Sequence, residues 1–339
     1  MTKKIGKQTL KLTTPPTIAA TAAVVGRKEG DGPLKEYFDY ISDDSYFGEK
    51  TWEKAESKML KQCFALCCDK AKIAPSDLEF IFSGDLLNQC VGSTFAMKDS
   101  DVPYFGLYGA CSTMGESMTL GAMTIDGGFA DTVCALTCSH FCSSERQYRF
   151  PLEYGGLRTP TAQWTVTGAG AAIIQAYGDG PYITHLTPGK IVDAGILDAN
   201  NMGSAMAPAA YETLKAHFED TGREPDYYDL ILTGDLGAIG HDTLEDLFRQ
   251  DGLTLGEHYN DCGLLIFDLK TQDVHAGGSG CGCSASVFSS YIMDGFAAGR
   301  WSKVLFAPTG ALMSPTSSQQ GDSIPGVCHA IAIEKTLEN

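Results

Sequence analysis

With 339 residues the chain can bury a full hydrophobic core, and its length allows two domains. Acidic residues number 42 against 25 basic ones, and the formal charge of −17 disfavours nucleic acid and repels free polyanions at long range. Apolar runs such as 168–176 and 304–307 are of strand length, and residues 1–12 carry lysines without the apolar core of a secretory signal, so neither a transmembrane segment nor a signal peptide is expected.

In chain order, residues 51–70 read as an amphipathic helix. An apolar strand, Glu-Phe-Ile-Phe from residue 79, ends in Ser-Gly-Asp-Leu at 83–86. The small-residue turn Gly-Ala-Cys-Ser-Thr-Met at 109–114 opens a helical stretch to Asp126-Gly-Gly-Phe, and a strand follows at 132–137. Residues 139–163 carry His140, Glu145, Arg146, Arg149 and Tyr154 without a clean period, as a covering loop would. A strand at 169–176 leads into the turn cluster Tyr-Gly-Asp-Gly-Pro at 177–181, which places a boundary between halves 1–178 and 179–339.

The second half repeats the pattern. Helices are expected at 208–221 and 242–250, flanking a strand at 229–236 that ends in Thr-Gly-Asp-Leu. Gly-Cys-Gly-Cys-Ser-Ala at 280–285 opens a stretch to Ala298-Gly-Arg, followed by a strand at 304–307. Asp85 aligns with Asp235 at an offset of 150 residues, and Val133 aligns with Val304 at an offset of 171. Strand, Gly-rich turn, small-residue helix and strand in each half indicate βαβ units, a largely parallel sheet and an internal duplication.

Twelve cysteines in a long chain without a signal, many inside apolar stretches, read as buried reduced thiols. No Cys-x-x-Cys occurs, and the spacings Cys281-x-Cys283 and Cys138-x-x-x-Cys142 suit zinc poorly, so no metal site is expected. Cys111 differs from the rest by its place. It sits at a helix start, with Thr113 and Glu116 at capping-box spacing. The positive end of a helix favours a thiolate, which makes either a nucleophile or a seat for an anionic group. The same residue also fits as a small side chain needed for tight packing. The motif does not separate these readings.

The Gly-Ala-Cys-Ser turn within repeated halves resembles the thiolase and ketoacyl-synthase superfamily. More specifically, the chain resembles the stage V sporulation protein AD family of spore-forming bacteria. The motifs that carry this include Ser-Gly-Asp-Leu-Leu-Asn-Gln at 83–89, Ser-Glu-Arg-Gln-Tyr-Arg-Phe-Pro at 144–151, Glu-Tyr-Gly-Gly at 153–156, Met-Gly-Ser-Ala-Met-Ala-Pro-Ala-Ala at 202–210 and Gly-Gly-Ser-Gly-Cys at 277–281. The resemblance implies an α/β, thiolase-like, five-layered αβαβα fold of two duplicated halves, and a homodimer. It implies binding of dipicolinic acid (pyridine-2,6-dicarboxylate), with calcium as an ion that can travel with it and no cofactor of the protein's own. It further implies a soluble or peripheral place at the inner spore membrane, supporting transport of this acid with membrane-embedded proteins of the same operon.

Condensing relatives pair the cysteine with a histidine after the second-half strand and an asparagine or histidine in the next Gly-rich turn. Here the strand ends in Leu232-Thr-Gly-Asp235 and the turn at 277–284 holds neither residue, so binding without catalysis is expected. The alternative is an acyltransferase or ketoacyl synthase with Cys111 as nucleophile. A flat dianion suits a narrow slot with a few donors. The residues expected to line it are Asp85, Cys111, His140, Arg146 and His329. His140, Arg146 and Arg149 would pair with the carboxylates, although Arg149 also fits a surface pair with Glu145 or Glu153. Asp85 stands where ligands bind in such sheets, at a strand's carboxyl end, and its twin Asp235 is expected to cap a turn. His329 lies on an apolar strand where a core histidine would serve equally, and His241 and His258 are further imidazoles within conceivable reach.

Overall fold

The computed structural model describes residues 3–148 and 157–337. The principal elements of the first half are β1 (Thr17–Gly26), α1 (Trp52–Ala71), β2 (Phe80–Gly84), α2 (Val91–Met97), β3 (Tyr104–Leu107), α3 (Thr113–Asp126), β4 (Thr132–Ser139), α4 (Phe141–Tyr148) and β5 (Gly168–Gln175). Those of the second are β6 (Tyr182–Thr187), α5 (Met202–Thr221), β7 (Leu230–Gly234), α6 (Gly237–Gln250), β8 (Tyr259–Asp261), α7 (Cys281–Val287), α8 (Met293–Ala298), β9 (Lys303–Ala311), β10 (Gly326–Cys328) and β11 (Ala330–Glu334). A π-helical turn, Phe288–Ile292, joins α7 to α8.

Read outward from the junction of the halves, the strand orders are β1-β5-β4-β2-β3 and β6-β11-β9-β7-β8. The pairings match as well: β2 is parallel to β3 and β4, and β7 is parallel to β8 and β9, while the remaining neighbours are antiparallel. The sheet is therefore mixed rather than largely parallel, because the last strand of each half turns back across its neighbours. Register carries the duplication to single residues. Phe80 pairs with Val133 in the first half, and Leu230 with Val304 in the second. Both partners of the pair are displaced by the offsets read from the sequence.

Alternation along the strands then builds the layers. One face of the first-half sheet, including Ile81, Leu136 and Ile173, packs on Met59, Cys63 and Phe64 of α1. Its other face, Phe82, Ala135 and Ile174, meets Met114, Met118 and Ile125 of α3 in a central layer shared with Val287 and Phe288. Leu232, Phe306 and Ile331 close that layer from the second-half sheet. The opposite face of that sheet, Ile231, Leu305 and Ala332, lies under Met206 and Leu214 of α5 and Phe248 of α6. The result is helix, sheet, helix, sheet, helix.

Several local expectations shift. Thr51 caps α1, accepting from Lys54 N–H at 3.4 Å. Helix α5 starts six residues before Pro208, capped by Asn201, whose side chain accepts from Ser204 N–H. Residues 141–148 are a helix, not a loop. Its inward face is polar, with Ser143 bonded to Glu56 at 2.6 Å and Glu145 to Thr165 at 3.0 Å, so no apolar period marks it. The capping box expected of Thr113 and Glu116 does not form: a 3-10 turn, Ala110–Ser112, precedes α3, and Thr113 donates to Ala110 O at 2.6 Å.

Candidate functional site

Strand β3 delivers the chain into the Gly109–Ser112 turn. Ala110 takes φ +50°, a left-handed conformation that costs a residue with a Cβ about 1–2 kcal/mol and turns the next side chain inward. That side chain is Cys111, which is 6% exposed. Strand β9 seats the turn from the other side. A Cβ on Gly310 would come within 2.2 Å of Gly109 O and 3.0 Å of Cys111 N, so only glycine permits the approach. Ser284 of α7 donates to Cys111 O at 3.3 Å, tying the turn to the second half.

The group facing the thiol is a carboxyl. Asp235 follows β7, is fully buried, and has the thiols of Cys111 and Cys283 against it, yet neither carboxyl oxygen accepts a well-formed hydrogen bond. Burial pushes its pKa far above the usual carboxylate range, and Asp261 nearby adds to that. Asp261 holds the turn itself, accepting from the N–H groups of Leu236 at 3.0 Å, Gly237 at 2.9 Å and Gly263 at 2.9 Å and from the Thr233 hydroxyl at 2.8 Å. Burial, then Asp235, raises the Cys111 thiol well above its ordinary value, although the N–H groups of Gly280 and Cys111 point at the sulfur and oppose the shift. Desolvation outweighs the helix end, and the thiolate foreseen from the helix start is disfavoured.

In front of Cys111 lies a narrow cavity of about 50 Å³. Ala110, Leu86, Ala311 and Met313 give it apolar walls; Ser144, Glu145 and Tyr148 enter from α4, and Gln163, Thr165, Ser279 and Gly280 close its floor. Tyr148 is pinned by donating to Leu86 O at 2.7 Å, and Gln163 by donating to Gly278 O at 3.0 Å. Among the described residues the lining includes no lysine, arginine or histidine.

Of the five residues expected to form the site, Cys111 lines this cavity and four are directed elsewhere. Asp85 serves as a loop anchor, accepting from Leu87 N–H at 2.8 Å and from the N–H and hydroxyl of Ser93 at 2.6 and 2.7 Å. His140 has Nε2 2.8 Å from Ser45 O, and its Nδ1 accepts from Cys142 N–H at 3.2 Å. Arg146 pairs with Glu53 and lies 5.1 Å over the Trp52 ring, on the outer side of α4. His329 Nδ1 accepts from Gly189 N–H at 3.2 Å, and burial lowers its pKa to about 4. His241 stacks on Tyr259 at 4.5 Å, away from the thiol. Arg149, Glu153 and Tyr154 lie outside the described residues. Sequence reasoning assigned Asp235 to a turn and passed over Glu145 and Gln163. Asp235 had a signal, since it occupies the position after the second-half strand where condensing relatives place histidine.

A buried cysteine on a helix-opening turn, between two duplicated α/β halves, defines a thiolase-like protein. The fold is similar to that of 3-oxoacyl-[acyl-carrier-protein] synthase III from Aquifex aeolicus VF5, with a TM-score of 0.57 and 13% identity over 94% of this chain and 99% of that one. Human mitochondrial 3-ketoacyl-CoA thiolase, solved in complex with CoA, aligns with a TM-score of 0.57 and 12% identity over 96% and 99% of the two chains. Residues 6–334 match the family model of stage V sporulation protein AD. The stage V sporulation protein AD of Bacillus subtilis (strain 168) is 41% identical over 333 residues, 98% of each chain. The chain belongs to the stage V sporulation protein AD family.

Proposed function

We propose that this chain binds dipicolinic acid without transforming it, and that it supports passage of the acid across the inner spore membrane with membrane-embedded proteins of the same operon. What favours a binder over a condensing enzyme is the companion given to Cys111. A nucleophilic thiol needs a neighbouring base, commonly an imidazole, to take its proton. Here the neighbour is Asp235, a buried acid that itself favours the protonated form and raises the thiol further. A slot with apolar walls and a few fixed polar groups suits a flat aromatic acid.

The charge of the lining refines the reading. Glu145 enters the cavity and Asp235 stands behind Cys111, while the described lining offers no cation. A bare dianion meets like charge there, whereas its calcium chelate, or a protonated form, does not. Calcium enters as cargo with the acid.

Calorimetric titration of the full chain with dipicolinate, with and without calcium, tests this. Saturable heat, larger or tighter with calcium and weakened by Cys111→Ala, is expected. Absence of heat at millimolar ligand with folded protein overturns the reading. So does a covalent acyl adduct on Cys111 after exposure to acyl-CoA, seen by intact mass.

A further inference from the structure

We infer that the first turns of α6 carry a site for a borderline divalent transition ion, built from His241, Asp242 and Glu245. One ligand atom from each of the three residues lies within 4.8 Å of the other two, a spread that a single ion can span. His241 and Glu245 are four residues apart and so share a helix face, while Asp242 reaches the same point from the adjoining position.

Three further observations favour an ion here over a chance surface cluster. The imidazole is already oriented: its ring stacks on Tyr259 at 4.5 Å with 5° between planes, and the Tyr259 hydroxyl is fixed 3.0 Å from the Thr233 hydroxyl. The His241 side chain is only 19% exposed, so its direction is set by packing. Asp242 and Glu245 also lack a lysine or arginine ion pair among the described residues, whereas the adjacent Asp246 is neutralised by Arg249. Two carboxylates brought together beside one imidazole repel each other until a cation joins them.

One nitrogen and two oxygens suit zinc, cobalt or manganese, and calcium poorly, since a ring nitrogen is not a ligand for that ion. Three protein ligands leave positions open on the solvent side, as Asp242 is 78% exposed. The cysteine spacings that argued against zinc have no bearing on this place. None of the twelve thiols belongs to the cluster.

Cobalt titration of the tag-free, chelator-treated full chain provides the test, because cobalt reports its ligands by absorbance. Binding of one ion per chain is expected, with visible ligand-field bands and no thiolate-to-cobalt charge-transfer band. His241→Ala and Glu245→Gln should each weaken it by about tenfold or more. Glu245→Gln retains the side-chain shape, so a folding defect in His241→Ala does not blunt the comparison. Equal cobalt affinity in wild type and Glu245→Gln, a strong thiolate band, or no saturable binding would each overturn the assignment.

Discussion

Asp85 and Asp235 occupy the same station in the two halves, one residue beyond β2 and β7, and they are treated in opposite ways. Asp85 accepts three hydrogen bonds from Leu87 and Ser93, and Asp235 accepts none from a nitrogen or oxygen donor. Both are fully buried. One half therefore keeps its carboxylate as a fastening, while the other leaves its carboxyl exposed to the thiol of Cys111.

Stability should register this difference. Asp85→Ala strands the N–H groups of Leu87 and Ser93, and a loss of about 3 kcal/mol is expected. Asp235→Asn removes an unsatisfied buried acid and should fall within about 1 kcal/mol of wild type, or above it. Urea unfolding of both variants checks the pair; equal losses would mean that Asp235 is fastened after all.

Asp235→His places an imidazole against Cys111, where relatives that condense acyl groups carry one. The thiol should then lose its proton more readily. A drop of one unit in its pKa gives about a tenfold rise in alkylation rate near neutral pH. Peptide mapping after brief iodoacetamide treatment reads the rate at Cys111, and an unchanged rate would show that the ring points away.

Glu29 offers a pH readout. It accepts from Thr167 N–H at 2.9 Å, its second oxygen has no partner, and burial raises its pKa to about 7. The folded state thus holds a proton that the unfolded chain releases from about pH 4.5 upward. This contribution to stability is complete below that pH and is lost as pH rises through 7, at most about 3 kcal/mol for a shift of this size. Glu29→Gln should flatten the profile between pH 5 and pH 7.5 in denaturant titrations, and parallel profiles would contradict the assignment.

Arg146 was chosen from sequence as a carboxylate clamp, yet it faces Glu53 and Trp52. Arg146→Ala should leave dipicolinate binding unchanged and cost no more than about 1 kcal/mol of stability, as half-exposed ion pairs do. A loss of binding in calorimetry would mean that the side chain swings inward.

The outcome for Arg146 shows where sequence reading reached its limit. The duplication was legible because strands buried on both faces end in the same four-residue motif, and the offsets of Asp85 and Val133 survive in the strand register. The turn at Cys111 was legible because small residues crowd there for a physical reason, the approach of Gly310. The facing of α4 was not. Glu145 enters the cavity and Arg146 leaves it, and one helical step of about 100° separates them without any apolar stripe to fix the phase. Nor does any local signal tell Asp85 from Asp235, since their surroundings differ only through donors contributed from elsewhere in the chain.

The burial of the cysteines has a practical corollary. Eleven of the twelve thiols are buried, Cys142 is the partial exception, and no disulfide joins any of them. They are spread through the α1 layer, the central layer and the α5 layer. Slow modification by a bulky maleimide under native conditions would record how often each layer opens, so the molecule carries a built-in set of reporters for its own breathing.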